Sequence, residues 1–122
     1  MDPITSTLLQ NEPEYADLVE EFVKRLPPTV TRIIQLFDQI ANQMPNPLSS
    51  NANWLQLKKE VHDLKGMGGG FGYPMLTELA GKIDSQIKPG NIDMVKTLLK
   101  ELDVLSARIV LGMAKYHQQK CA

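Results

Sequence analysis

The residues of this chain whose types and spacing could carry chemistry are His62 and three lysines near it, Lys58, Lys59 and Lys65. An imidazole nitrogen is a competent nucleophile near neutral pH, where much of an ordinary histidine is uncharged. A phosphoryl group joined to it as a phosphoramidate would bring negative charge to the surface. Lys65, one helical turn further on, can offset that charge. Lys58 and Lys59, one turn earlier, extend the positive field on the same side. Phosphoryl transfer also needs metal and positioned charge around the moving group, and no acidic cluster with Mg²⁺ spacing flanks His62. The metal site would then have to come from a partner, with His62 as the acceptor.

The element that positions these residues is a helix. At about 100° per residue, Trp54, Leu57, Val61, Leu64, Gly68 and Phe71 fall on one stripe at spacings of three and four. Such a stripe is the seam of a helix packed in a bundle. His62 lies well off it, with Lys58, Lys59, Lys65, Gly66 and Gly69 around it on the outer face. Gly66, Gly68, Gly69, Gly70 and Gly72 oppose helix formation, each interior glycine costing roughly 0.8–1.0 kcal/mol relative to alanine. Phe71 nevertheless continues the apolar stripe in register, so the spacing predicts a helix to about Phe71. Gly66 and Gly69 then read as clearance for a large partner approaching His62, and Gly68, on the inner face, as close helix packing. Two phosphate-loop readings fail. From Gly66 or Gly68 the third glycine of a dinucleotide pattern would be Phe71 or Tyr73, Gly81-Lys82 is followed by Ile83 rather than Ser or Thr, and no strand precedes either.

His62-x-x-Lys65-Gly66, with Gly72 ten residues and Leu76 fourteen residues after the histidine, resembles the signature of the histidine-containing phosphotransfer (HPt) domain. The run Gly70-Phe71-Gly72-Tyr73 is similar to the phosphotransfer domain of chemotaxis-type histidine kinases. The chain departs from many members at Met67 and Gly68-Gly69-Gly70, where small residues such as Ala or Ser are common. The resemblance implies phosphorelay signal transduction. His62 would accept a phosphoryl group from a receiver-domain aspartate or a histidine kinase and pass it to a response-regulator receiver. It implies a phosphohistidine carrier rather than an enzyme, without an ATP-binding kinase domain or a cofactor of its own, the Mg²⁺ belonging to the partner receiver. Lys65 would stabilise the phosphate, and Lys58, Lys59, Gly66 and Gly69 would meet the partner.

The rest of the chain fits one small unit. With 122 residues it is expected to be a single domain, 1–122, with a core of about 14–117. A net charge of -1 argues against nucleic acid as the main partner. No apolar run approaches a membrane span, no secretory pattern opens the chain, and the single Cys121 suits a reducing cytoplasm. Ile4, Leu8 and Leu9 leave room for a short extra N-terminal helix. Leu18, Phe22, Val23, Leu26, Val30, Ile33, Ile34, Phe37, Ile40 and Ala41 recur at threes and fours over nearly thirty residues from Glu14, interrupted at Pro27-Pro28. Two helices end to end, or one bent helix, are expected there.

Asn42 to Asn53 reads as a linker, with Asn51 or Asn53 capping the His62 helix. Tyr73-Pro74 opens a helix carrying Leu76, Leu79, Ala80, Ile83 and Ile87, which stops before Pro89-Gly90. Asn91 caps a last helix with Val95, Leu98, Leu99, Leu102, Leu105, Ile109 and Met113 along one side. The fold class is all-α, an antiparallel four-helix bundle with short connections.

Plainer readings stand beside these. Asp63 projects about 100° from His62 and reads as a surface acid, while Lys58 and Lys59 also suit a solvated face. Met67, Phe71 and Trp54 read as packing. His117 reads as inert, and two histidines with one cysteine do not suggest a zinc site. The alternatives to a monomeric relay are the dimerisation and phosphoacceptor segment of a sensor kinase, or a helical adaptor without chemistry.

Overall fold

The apolar positions that recur at threes and fours become the shared core of four long helices. The computed structural model describes residues 2–42, 51–87 and 90–121. A short helix α1 (Thr7–Asn11) and a 3-10 turn (Pro13–Tyr15) lead into α2 (Ala16–Asn42), α3 (Asn51–Gly70), α4 (Pro74–Ile87) and α5 (Ile92–Cys121). No strand occurs among the described residues. Helix α3 packs on α2 and α4, and α5 closes the ring against the same two.

Cross-helix pairs fix the directions. Phe22 stacks on Phe71 at 4.7 Å between ring centroids, and about 15 Å further along α2 Arg32 meets Glu60, so α2 and α3 run antiparallel. Glu20 at the start of α2 lies 3.4 Å from His117 at the end of α5. The fold is an all-α antiparallel bundle.

Helix α2 adds to the expectation in two ways. It runs through Pro27 and Pro28 as one helix, so of the two forms expected there the single helix is the one that forms. Each proline costs on the order of 3 kcal/mol inside a helix, but Phe22, Val23, Leu26, Val30 and Ile33, on both sides of the pair, are all buried. At about 1.5–3 kcal/mol per buried apolar side chain, keeping that face in register outweighs the two lost hydrogen bonds. Both prolines themselves are exposed. Second, Leu18 is 59% exposed, and Val19 takes its place in the core at 0%. The buried row Val19, Phe22/Val23, Leu26, Val30, Ile33, Phe37, Ile40 holds its own three-four spacing, and Leu18 sits one residue, about 100°, off it. Ile34 and Ala41 lie at its half-buried edge.

The linker prolines and serines, and Pro89, lie outside the described residues. Helix α3 begins at Asn51, so Asn53 stands within its first turn rather than capping it. Asn91 does cap α5, its Oδ1 accepting from Met94 N–H at 3.3 Å, and Gly90 turns the chain with φ +73°.

The N-terminal segment is bound across the end of the bundle. Ile4 N–H donates to the Arg108 carbonyl at 3.0 Å, and Arg108 Nε donates to the Asp2 carbonyl at 2.8 Å. The Ser6 hydroxyl donates to the Phe71 carbonyl at 2.6 Å, and Thr7 N–H donates to the Gly72 carbonyl at 2.9 Å. Gly72 has φ +90°, and a β-carbon there would collide with Ser6, Thr7 and Leu8. Glycine is required at this turn both for its backbone and for the close approach of the strap. The short helix expected near Ile4–Leu9 is α1, with Leu9 buried and Ser6 as its N-cap.

Candidate functional site

Helix α3 presents the two faces that its sequence implies. Leu57, Val61 and Leu64 are fully buried, Gly68 is buried and Trp54 half-buried. His62, Lys59, Lys65, Gly66 and Gly69 are exposed, and Lys58 is half-buried. The helix continues through the glycines to Gly70. Phe71 lies just past it in the turn, where its ring packs on Phe22.

Neighbouring helices support this helix at three places. On the α2 side, Arg32 forks onto Glu60, Nε to Oε1 at 3.1 Å and Nη2 to Oε2 at 3.0 Å. Gln56 Nε2 also donates to Glu60 Oε1 at 3.1 Å. The hydrogen bond to Glu60, then its charge, holds the Arg32 guanidinium above its ordinary pKa. This ion pair borders a cleft of about 350 Å³ between α2 and α3, which Lys59, Asp63 and Met67 also line. Asp63 thus faces α2 rather than His62.

On the α4 side, the aliphatic stem of Lys65 lies over Gly81, its Cε 3.7 Å from where a β-carbon would stand. One turn along, the Thr77 hydroxyl accepts from Gly69 N–H at 2.7 Å and donates to the Lys65 carbonyl at 2.8 Å. The glycines separate by what surrounds them. Gly66 and Gly70 have open space where a side chain would begin. A β-carbon at Gly68 would lie 3.0 Å from the Thr77 backbone N and hydroxyl and 3.1 Å from Leu76 Cβ. Gly68 is close packing, as its stripe position implies. Gly69 is exposed but not free, since a β-carbon there would stand 3.3 Å from the Thr77 hydroxyl.

Among the described residues, none of Lys58, Lys59 and Lys65 takes part in an ion pair. Their charge is available to an incoming anion. No group of three or more His, Cys, Asp and Glu converges among the described residues, and no described helix is long and apolar enough to cross a membrane. His117 stands apart from this site, exposed beside Glu20 on the opposite edge of α2. Thr77, Gly81, Arg32 and Glu60 were not singled out by sequence reasoning. The only signal for Thr77 and Gly81 was the run of small residues that would have to face them.

A surface histidine followed one turn later by a lysine, on one helix of an antiparallel four-helix bundle, is the form of a helical phosphotransfer module. The family model of the Hpt domain matches residues 17–108, and the chain belongs to that family. It is accordingly a histidine phosphotransfer domain of two-component phosphorelay signalling, a carrier of phosphate. Such domains interact with receiver domains and histidine kinases. Compared with the curated proteins and with the solved structures, the chain finds no significant match.

Proposed function

We propose that His62 is the phosphoacceptor, and that it exchanges its phosphoryl group with the aspartate of a response-regulator receiver. The observation that carries this reading is the exposed His62 with Lys65, outside any ion pair among the described residues, one turn along the same helix. A lone pair on an imidazole nitrogen attacks the phosphorus of the receiver's aspartyl phosphate. A nitrogen–phosphorus bond forms, the bond from phosphorus to the aspartyl oxygen breaks, and the carboxylate leaves with its electron pair. The ring proton on the other nitrogen is then free to pass to solvent. The same step in reverse loads a second receiver.

Lys65 offsets charge on the bound phosphoryl group, and Lys58 and Lys59 draw an acidic receiver toward the face. Gly66 leaves the approach open. The receiver brings its own Mg²⁺, which neutralises charge on the transferring group. On this reading the chain acts as a monomer in the cytoplasm and takes its phosphate from a receiver-domain aspartate or from an upstream sensor or hybrid histidine kinase. Incubation with a phosphorylated receiver should give an acid-labile phosphoprotein from the parental chain and none from His62→Gln. Equal labelling of the two would overturn the assignment. Light scattering of a stable dimer that covers His62 would favour the sensor-kinase segment instead.

A further inference from the structure

We infer that Thr77 is a positioning residue for phosphoryl transfer, and that its hydroxyl is built into the backbone ladder of α3 to set where Lys65 stands. This rests on the reading of His62 and Lys65 as the transfer site. In a regular helix the N–H of residue 69 bonds directly to the carbonyl of residue 65. Here the hydroxyl of a residue from the next helix also bonds to both of those groups, accepting from Gly69 N–H at 2.7 Å and donating to Lys65 C=O at 2.8 Å. A side chain set into the ladder is a recognised cause of local bending. The insertion falls one turn beyond Lys65, at the point where the helix leaves the reactive face.

The neighbouring sequence accommodates this wedge. A β-carbon at Gly68 would press on the Thr77 backbone N and hydroxyl, and one at Gly69 would press on the hydroxyl. Glycine at both positions lets the first turn of α4 come close enough for the hydroxyl to enter. Helix α4 then holds Lys65 twice, by its carbonyl through Thr77 and by its stem across Gly81. Lysine side chains have many rotamers, and fixing one reduces what must be ordered when phosphate arrives. Thr77 touches no reacting atom. Its part is to fix the backbone from which Lys65 reaches.

Thr77→Val keeps the shape and removes the hydroxyl, and Thr77→Ser keeps the hydroxyl. For each variant, three quantities are measured in the full chain: amide hydrogen exchange at Gly69, transfer from a phosphorylated receiver over a range of receiver concentrations, and the unfolding midpoint. In Thr77→Val, exchange at Gly69 should rise about tenfold or more. The saturated transfer rate should fall about tenfold while the half-saturating receiver concentration stays put. Thr77→Ser should restore both.

Unchanged exchange at Gly69 in Thr77→Val overturns the wedge. Raised exchange with a parental transfer rate overturns the positioning role. A fall in transfer that Ser does not rescue, following the unfolding midpoint, also overturns it by reducing Thr77 to packing. If the parental chain accepts no phosphate, the role in transfer falls together with the function reading, and exchange at Gly69 decides the wedge by itself.

Discussion

Lys65 lies across Gly81, its Cε and Cδ 3.7 Å and 4.0 Å from the place a β-carbon would occupy on the facing helix. The lysine one turn from His62 is thus seated on a gap in α4, and its ammonium reaches solvent from a supported stem.

That seat can be filled. Gly81→Ala places a methyl group at ordinary contact distance, so it should leave transfer near the parental rate and raise stability by up to about 1 kcal/mol through helix propensity. Gly81→Leu should keep the bundle folded but push the Lys65 stem aside and slow transfer by roughly tenfold. Paired measurements of unfolding midpoint and transfer rate check this. A fully active Gly81→Leu would show that the seat does not matter.

The glycines of α3 should divide by their surroundings. Gly66→Ala meets open space and should stabilise the fold by up to about 1 kcal/mol. Gly68→Ala must move the Thr77 backbone or Leu76 and should destabilise it by about 1–3 kcal/mol, as overpacking does. Urea unfolding of the two variants beside the parent measures the difference. Equal shifts for both would mean that α4 yields more easily than its packing implies.

Much of this was legible in the sequence. The period of three and four located α2 through α5, the side of α3 that carries His62, and the inner position of Gly68, because burial in a bundle enforces that period directly. What escaped was decided by contacts between elements. The shared register of Phe22, Leu26 and Val30 allowed either one helix or two at Pro27-Pro28, and nothing local decides between them or shows that Val19 rather than Leu18 turns inward. The Gly72 requirement comes from an N-terminal strap more than sixty residues away. Thr77 escaped because its partners are backbone groups of another helix, and no periodicity encodes a hydroxyl set between a carbonyl and an amide. Gly69 accordingly read as clearance alone.

Tyr73 gives a pH signature. It is 1% exposed, and burial pushes its phenol up to about 12 from an ordinary 10.0. The folded state therefore keeps the proton over a range where the unfolded chain releases it. The resulting stability is fully present below pH 10.0 and is lost as pH rises toward about 12. The loss should reach up to about 3 kcal/mol. Tyr73→Phe should lack this component, so the stability difference between parent and variant should change across that window. A constant difference from pH 8 to 12, roughly spanning both states, would contradict the assignment.

The central claim, that His62 carries the phosphate, is tested most directly by locating the modification. The chain is incubated with a phosphorylated receiver and Mg²⁺, and the phosphohistidine is mapped by mass spectrometry at neutral to alkaline pH, where phosphoramidates survive. The account predicts phosphate on His62 alone, a normal yield from His117→Gln, and none from His62→Gln folded to the parental helix content. Phosphate on His117, or undiminished labelling of His62→Gln, would contradict it.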